Sequence, residues 1–231
     1  MIHKMPYLRF LLFLILLLVL GHFANGQSEF FHELVLEKKL MENEKWELMG
    51  ETNWKYLYNE PSWRRWGLSF AGVRKIKRFS IVGGTDGYYT FNKQAVDFFE
   101  VRPWTSVQHK LPLVSEWFLR QRLKLEWRFF NTESQSFSNE NYSRLRYQIG
   151  LDIPLFSNKD SEWKIRPYFE WFFIRNPATY ERFSNERDYG LMATRSFKNH
   201  HELSFNYKVE EFYTQHSEKE YGHLFLLAYS F

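Results

Sequence analysis

The sequence predicts an all-β protein, a transmembrane antiparallel up-and-down β-barrel of about 10–12 strands. Three observations lead to this prediction. Apolar and charged residues alternate over long stretches, a short apolar segment with basic residues before it opens the chain, and the last eleven residues alternate up to a terminal phenylalanine. Together they are typical of a barrel that is exported and inserted into the outer membrane of a bacterium.

The first 26 residues predict a signal peptide. Lys4 and Arg9 flank the start of an apolar run from Phe10 to Leu20, and Ala24 and Gly26 occupy the small-residue positions of a cleavage site. The run is too short to span a bilayer comfortably, which disfavours an uncleaved membrane anchor. Because no cysteine lies near the cleavage site, we expect export through the general secretory pathway without attachment of lipid.

Composition narrows the class of the mature chain, residues 27–231, which we expect to form a single domain. The sequence has no cysteine, so an exported fold of this size is not held by disulfides. Removing Lys4 and Arg9 from the 31 basic residues leaves 29 against 27 acidic ones, a balance that gives no sign of a nucleic-acid partner. Aromatic residues make up 20% of the sequence although mean hydropathy is −0.51, so the rings must alternate with polar residues.

This alternation is clearest in "SEWFLRQRLKLEWRFF", residues 115–130, where every second residue is mostly apolar and the residues between are mostly charged. The stretches "SRLRYQIGLDIPL", "WKIRPYFEWFF" and "ELSFNYKVE" follow the same rule. Successive side chains of a strand point to opposite faces, so each stretch has one apolar and one charged face. A helix would spread the charges around its whole circumference, so these stretches are strands.

Eleven strand segments follow from this pattern along the chain. They are Phe30–Leu40, Trp46–Leu57, Trp66–Ile76, Phe79–Asp86, Phe98–Leu111, Ser115–Phe130, Ser143–Leu155, Trp163–Phe173, Asp188–Phe197, His201–Phe212 and Tyr221–Phe231. Bacterial single-chain barrels normally have an even number of strands. We therefore expect ten or twelve, with twelve favoured, and the glycine-rich "FSIVGGTDGYYTF" is the segment whose pattern is least clear.

The predicted connections alternate between short turns and long loops. The short turns are "MENEK", "KIKR", "LPLVS", "SNKDSE" and "KNHH"; the long loops are "YNEPSWRR", "GTDGYYTFNKQ", "NTESQSFSNENY", "RNPATYERFSNER" and "TQHSEKE". With a periplasmic C-terminus, every short turn lies in the periplasm and every long loop outside. A soluble β-sandwich is the alternative, but strands of this length exceed the usual five or six residues, and Trp and Tyr recur near the predicted strand ends.

The final stretch "YGHLFLLAYSF" resembles the C-terminal signal that outer-membrane proteins present to the barrel-assembly machinery. Tyr229 and Phe231 match its aromatic positions. The resemblance implies that this machinery is a partner during biogenesis and that the last strand seals the barrel.

The chain also resembles a Bacteroidetes outer-membrane family catalogued as domain of unknown function 2490. The resemblance is carried by "VLEKKLMENEKWELMGETNWKY" (Val35–Tyr56), "RLKLEWRF", "LRYQIGLDIPL" and "SFKNHHELSFNYKVEEF", and covers nearly the whole mature chain. These motifs are strand-and-turn patterns with no catalytic signature. The family therefore implies an outer-membrane barrel of unassigned activity.

If the apolar face meets lipid, the charged face lines the lumen of a monomeric barrel. The predicted lumenal charges are Glu47, Glu51, Glu100, Arg102, Glu116, Arg120, Arg122, Lys124, Glu126, Arg128, Arg144, Arg146, Lys164, Arg166, Glu170, Lys208 and Glu210. Opposite charges are interspersed, so in a narrow lumen we expect them to pair. A structural or binding barrel with a charge-paired lumen is favoured, and a porin-like channel for small solutes or ions is the alternative.

A lipid-active barrel enzyme is the second alternative. Candidate groups near the last external loop are His216, Ser217, Glu218, Glu220 and His223. A serine nucleophile needs a base within hydrogen-bond distance and a third group that orients the base, and nothing in this spacing imposes that geometry. No HExxH helix, phosphate-binding loop or dinucleotide fingerprint occurs. We predict no catalytic residue, metal or cofactor, and expect the turn residues His200 and His201 to be solvated.

Overall fold

The computed structural model describes residues 28–91, 97–114, 116–132, 141–173, 186–213 and 219–231. These residues form eleven β-strands: β1 (Ser28–Glu42), β2 (Trp46–Leu57), β3 (Glu60–Ile76), β4 (Phe79–Phe91), β5 (Phe98–Pro112), β6 (Phe118–Thr132), β7 (Asn141–Ser157), β8 (Ser161–Phe172), β9 (Arg187–Phe197), β10 (Glu202–Tyr213) and β11 (Lys219–Ser230). Among the same residues, no helix is long and apolar enough to cross a membrane. The predicted signal peptide, with Ala24 and Gly26, lies outside the described residues.

The strands close into one barrel in the order of the sequence. Each strand runs antiparallel to its neighbours in the chain, as predicted. The expectation of ten or twelve strands is wrong, because each of the eleven predicted segments is one strand and "FSIVGGTDGYYTF" is the single strand β4. An odd number of alternating strands leaves the first and last pointing the same way, so β1 and β11 pair in parallel.

The parallel seam extends to the last residue of the chain. Phe31 lies opposite Leu224 in the register, and Leu36 lies opposite Tyr229. The amide of Lys39 donates to the carbonyl of Phe231 at 3.1 Å, and the amide of Phe231 donates to the carbonyl of Glu37 at 3.1 Å. The closing strand therefore has its backbone groups paired on both sides, which removes the open edge of the sheet.

The connections define two ends of the barrel. At the turn end, β1 meets β2, β3 meets β4, β5 meets β6, β7 meets β8 and β9 meets β10. At the opposite end, the loop end, β2 meets β3, β4 meets β5, β6 meets β7, β8 meets β9 and β10 meets β11. At the turn end, the side-chain oxygens of Asn43 and Asn158 each accept two backbone amides that follow them, a turn that asparagine favours.

The predictions of two of the long loops are wrong. The segment "YNEPSWRR" contains only the two-residue turn Tyr58–Asn59, after which β3 begins at Glu60. In "GTDGYYTFNKQ", β4 continues to Phe91. Both segments continue the alternation of the adjoining strand, so turn-forming Pro, Gly, Asn and Asp residues were weaker signals there than the periodicity.

The outer face of the barrel is predominantly apolar and exposed. Large side chains on this face, from Leu36 on β1 through Leu68, Ile81 and Leu123 to Phe225 on β11, are 46–54% accessible. Trp46, Tyr229 and Phe231 lie on this face near the turn end, and Trp66 and Trp127 near the loop end. Because the charged positions mostly alternate with these, most of the charged side chains of the strands point into the lumen.

Candidate functional site

The lumen contains most of the charged side chains of the strands and is therefore the candidate functional site. Sixteen of the seventeen charged residues predicted to line it lie on the inward-facing positions of their strands, including Arg120, Arg122, Lys124, Glu126, Arg128, Arg144, Arg146, Arg166 and Glu170. Glu116 is the exception. Strand β6 begins at Phe118 and not at Ser115, so Glu116 lies in the exposed turn that precedes it.

Ion pairs cover the inner faces of four adjacent strands in two groups, which together we call the β5–β8 cluster. The larger group surrounds Glu100, Glu126 and Glu170, and in the smaller one Asp152 pairs with Arg120 and Arg166. Its carboxylates are Glu100, Glu126, Asp152 and Glu170; its cations are Arg102, Arg120, Arg122, Lys124, Arg128, Arg144, Arg146 and Arg166. Among the described residues, four carboxylates thus pair with eight cations. The cluster carries a formal charge of +4 if every member is ionised.

Glu126 is the centre of the buried part of this cluster. Its carboxylate lies 2.7 Å from the guanidinium of Arg144, 3.0 Å from the ammonium of Lys124 and 3.1 Å from the guanidinium of Arg146. The side chain is fully buried. If a buried carboxylate that pairs with several cations is removed, those cations are left without a compensating charge. Glu126 is therefore expected to stabilise the middle of the lumen.

A second pair system connects the two sides of the parallel seam. The ammonium of Lys208 on β10 lies 3.1 Å from Asp188 and 2.7 Å from Glu210. Glu210 is in turn 3.3 Å from the ammonium of Lys55 on β2, so this contact crosses in front of β11 and β1. The ammonium of Lys55 also lies 4.3 Å from the ring centre of Phe31.

An apolar cluster fills the lumen near the loop end. It consists of Phe31, Leu57, Trp63 and Leu224, each at most 2% accessible, and the rings of Phe31 and Trp63 pack edge to face with centres 5.5 Å apart. These residues come from β1, β2, β3 and β11, so the cluster lies opposite the β5–β8 cluster. Together the apolar cluster and the buried ion pairs of Glu100 and Glu126 pack the loop half of the lumen within the described residues.

The turn half of the lumen is more open to solvent. In this half the side chains of Arg120, Lys75 and Glu202 are 37%, 39% and 40% accessible although they lie on inward-facing positions. In the loop half those of Glu100 and Arg128 are fully buried. Water therefore reaches the inner face from the turn end.

A cavity of about 240 Å³ lies in this open half and is lined by residues of strands β1 to β6. Carboxylates of Glu37, Glu51 and Asp86 line one side, and Arg122 and Lys124 of the β5–β8 cluster line the other. The remaining lining includes the aromatic rings of Tyr88 and Trp104 and the hydroxyl side chains of Ser69 and Ser106.

Two glycines position these rings. A Cβ added at Gly84 would lie 2.6 Å from the carbonyl oxygen of Phe70 and 2.8 Å from the ring of Trp104. A Cβ at Gly67 would lie 2.6 Å from the ring of Tyr88. Each ring thus packs directly on a neighbouring strand, and the indole N–H of Trp104 donates to Asp86 at 2.8 Å.

Within the described residues, the histidines of the enzyme hypothesis do not form a catalytic site. His216, Ser217 and Glu218 lie outside the described residues. His223 is on the outer face, where its Nδ1 is 2.8 Å from the hydroxyl of Tyr207 and its ring stacks on Phe30, whereas Glu220 occupies an inward-facing position. His200 is exposed in its turn. Among the described residues, no group of His, Asp and Glu could hold a metal ion.

Sequence reasoning missed several residues that shape the lumen. Asp152 and Lys55 lie an even number of residues from predicted lumenal residues on the same strands, so the alternation could have identified them as inward-facing. Asp86 lies among glycines that obscure the pattern. Phe31 and Trp63 could not be found this way, because alternation assigns large apolar residues to the outer face.

Comparison with known protein families matches residues 29–220 to DUF2490, a family described as proteins of unknown function. The match covers most of the chain, so the protein belongs to this family, as its strand and turn motifs predicted. No curated protein matches the sequence. The family has no assigned function.

Proposed function

We propose that this protein is an integral outer-membrane β-barrel with a structural or binding role, whose lumen does not conduct solutes. The observation that carries the proposal is the contrast between its faces. Exposed large apolar side chains surround the closed barrel, whereas buried ion pairs fill much of its interior. A soluble protein rarely exposes an apolar patch of more than a few hundred Å², so lipid is the solvent that suits this outer face.

The spacing of outer-face aromatics supports a membrane setting. Trp46 and Trp54 on β2 are separated by about 26 Å along the strand at about 3.3 Å per residue, or about 20 Å across the bilayer after the usual strand tilt. That span is near the apolar band of about 25 Å in outer-membrane barrels. At the turn end, Arg74 lies 4.8 Å from the ring centre of Trp46 and Lys38 5.6 Å from that of Phe231, which suits anionic lipid headgroups.

The packed loop half argues for a closed lumen. A channel for ions or small solutes would need a polar path past the fully buried Glu100, Arg128 and Trp63, and within the described residues these side chains are packed against their partners. We place the turn end, with its open half-lumen, in the periplasm, because the short turns of outer-membrane barrels lie on that side. Tyr229 and Phe231, on the strand that seals the barrel, are then the residues that the assembly machinery would bind.

Cell fractionation and a detergent gel test the barrel. We expect the protein to remain with outer membranes through a carbonate wash and to change mobility on the gel only after boiling, because a closed hydrogen-bonded barrel resists cold detergent. Release as a soluble protein of single mobility would overturn the proposal in favour of a sandwich.

Orientation can be tested in intact cells because the chain has no cysteine. Asn59→Cys lies in the loop-end turn and Asn199→Cys in a turn-end turn, and both positions are exposed. We expect a membrane-impermeant maleimide to label position 59 in intact cells and position 199 only after lysis. The reverse pattern would show that the turn end faces outward.

Conductance in planar bilayers tests the closed lumen. Purified protein that shows the gel mobility shift should insert without stable single-channel steps. Reproducible steps of defined size would replace the structural or binding role by the channel.

A further inference from the structure

We propose that the cavity in the turn half of the lumen binds a small zwitterion, a molecule that carries an ammonium and a carboxylate group, such as an amino acid or a dipeptide. The inference rests on the folded barrel proposed above and adds a ligand class to it. Its basis is the separation of unlike charges on the two sides of one cavity.

The acidic side of the cavity lacks cations. Glu37 accepts a hydrogen bond from the hydroxyl of Ser230 at 3.0 Å, and Glu51 accepts one from the amide side chain of Asn53 at 3.2 Å. Asp86 accepts from the indole of Trp104 at 2.8 Å. All three partners are neutral, and in the described part of the chain these carboxylates form no ion pair. An ammonium group of a ligand would supply the missing positive charge.

The basic side has the opposite imbalance. Lys124 and Arg122 belong to the larger group of the β5–β8 cluster, in which, among the described residues, six cations share the carboxylates of Glu100, Glu126 and Glu170. Lys124 is 3.0 Å from Glu126, and Arg122 is 3.0 Å from Glu170, but both carboxylates also serve other arginines. A ligand carboxylate at Arg122 and Lys124 would reduce the excess positive charge.

Two buried donors on the basic side point to a ligand independently of the charges. Ser106 is 2% accessible, and its hydroxyl has no hydrogen-bond partner among the described residues. The same holds for Nε of Arg122. Buried donors are rarely left without partners. Ser106 lies opposite Lys124 in the β5–β6 register, so both donors adjoin the ammonium that would hold a carboxylate.

The volume restricts the ligand to a small molecule. At about 30 Å³ per water, 240 Å³ holds the equivalent of about eight waters. That is the size of an amino acid or a dipeptide of small residues, which also has its two charges at opposite ends. A larger peptide would have to extend towards the turn end.

Calorimetric titration of the detergent-purified barrel with three matched probes tests the assignment. Glycylglycine carries both charges, glycylglycinamide only the ammonium and N-acetylglycylglycine only the carboxylate. We expect glycylglycine to bind and each singly charged analogue to bind at least tenfold more weakly. Equal binding of glycylglycine and either analogue would overturn the zwitterion in favour of a simple cation or anion site.

Variants then locate the binding to the cavity. Glu51→Gln should weaken glycylglycine at least tenfold, and so should Arg122→Gln, because each removes one of the charges that a zwitterion pairs with. Glu202→Gln is the matched control, since Glu202 lies in the same half of the lumen but does not line the cavity. Unchanged affinity in both cavity variants would overturn the site.

The gel mobility shift distinguishes failure of the proposed ligand from failure of the proposed barrel. A preparation that shifts on boiling but does not bind glycylglycine would overturn the ligand assignment and leave the barrel intact. A preparation without the shift would instead contradict the barrel on which the inference rests.

Discussion

The two halves of the lumen use the same kinds of side chain to different ends. In the loop half, Glu100 and Arg128 are fully buried and paired with each other, and the fully buried Glu126 pairs with Arg144. In the turn half, Arg120, Lys75 and Glu202 are more than one-third accessible and keep contact with water. Position along the barrel axis, more than residue type, therefore decides whether a lumenal charge is buried in an ion pair or remains accessible to solvent and ligands.

The sharpest test of this contrast is Glu126→Gln against Glu202→Gln. Removing the charge of Glu126 leaves several buried cations uncompensated, and we expect the free energy of unfolding to fall by about 3–5 kcal/mol. Glu202 faces Lys164 at 3.6 Å in a solvated setting, so its loss should cost no more than about 1 kcal/mol. Urea unfolding in detergent, followed by tryptophan fluorescence, measures both. Equal losses would remove the distinction between the halves.

The apolar cluster gives the next largest expected effect. Trp63→Ala would leave a hole beside Phe31, and we expect a loss of about 3–5 kcal/mol, somewhat below that of Glu126 if the barrel partly collapses into the space. Trp66→Ala, three residues along β3, removes a ring that is 51% accessible on the outer face and stacks on Trp54. Its cost should be about 0.5–1.5 kcal/mol. The same unfolding assay measures both variants. A larger loss of unfolding free energy for Trp66→Ala than for Trp63→Ala would contradict the proposed packing.

Adjacent glycines on β4 test the packing that shapes the cavity. Gly84→Ala would collide with the carbonyl of Phe70 and the ring of Trp104, and should cost about 1–3 kcal/mol. Gly83→Ala places its Cβ in open space on the opposite face and should leave stability unchanged or slightly higher. The temperature at which the gel mobility changes is a sufficient readout. If both variants shift alike, the close contact of Trp104 with the strand is not what holds this wall.

The smallest effect is expected at the rim of the turn half. Lys75 lies 2.7 Å from Glu42 and 3.0 Å from Glu47, but all three side chains are at least partly solvated. Lys75→Gln should cost less than about 1 kcal/mol, and the cost should shrink at high salt because exposed pairs are screened. Unfolding at low and high salt measures this. A salt-independent loss would mean that the rim is packed like the loop half.

Much of the fold followed from local pattern. Alternation located all eleven strands, including both ends of β2 at Trp46 and Leu57. The errors came where another signal was given precedence over alternation. Turn-forming residues in "YNEPSWRR" suggested a loop, and the preference for even strand numbers argued against the eleven segments that the pattern contained.

The candidate site was less accessible to such reasoning. The alternation of side chains predicted that Arg122, Lys124 and Glu51 face the lumen. It does not show which of them line the same cavity or which carboxylates have no ion-pair partner among the described residues. Those properties depend on the stagger between strands that are far apart in sequence, such as β1 and β6. The cavity therefore became visible only when the barrel was closed.

The amino-acid sequence predicted the eleven strands and the face on which most of their side chains lie. It could do so because side-chain direction in a strand depends only on local backbone geometry. The tertiary structure alone decided the parallel seam of β1 with β11, the apolar cluster around Trp63, and the division of the lumen into a packed and an open half. These features arise from contacts between residues as distant as Phe31 and Leu224, whose meeting depends on closure of the whole sheet.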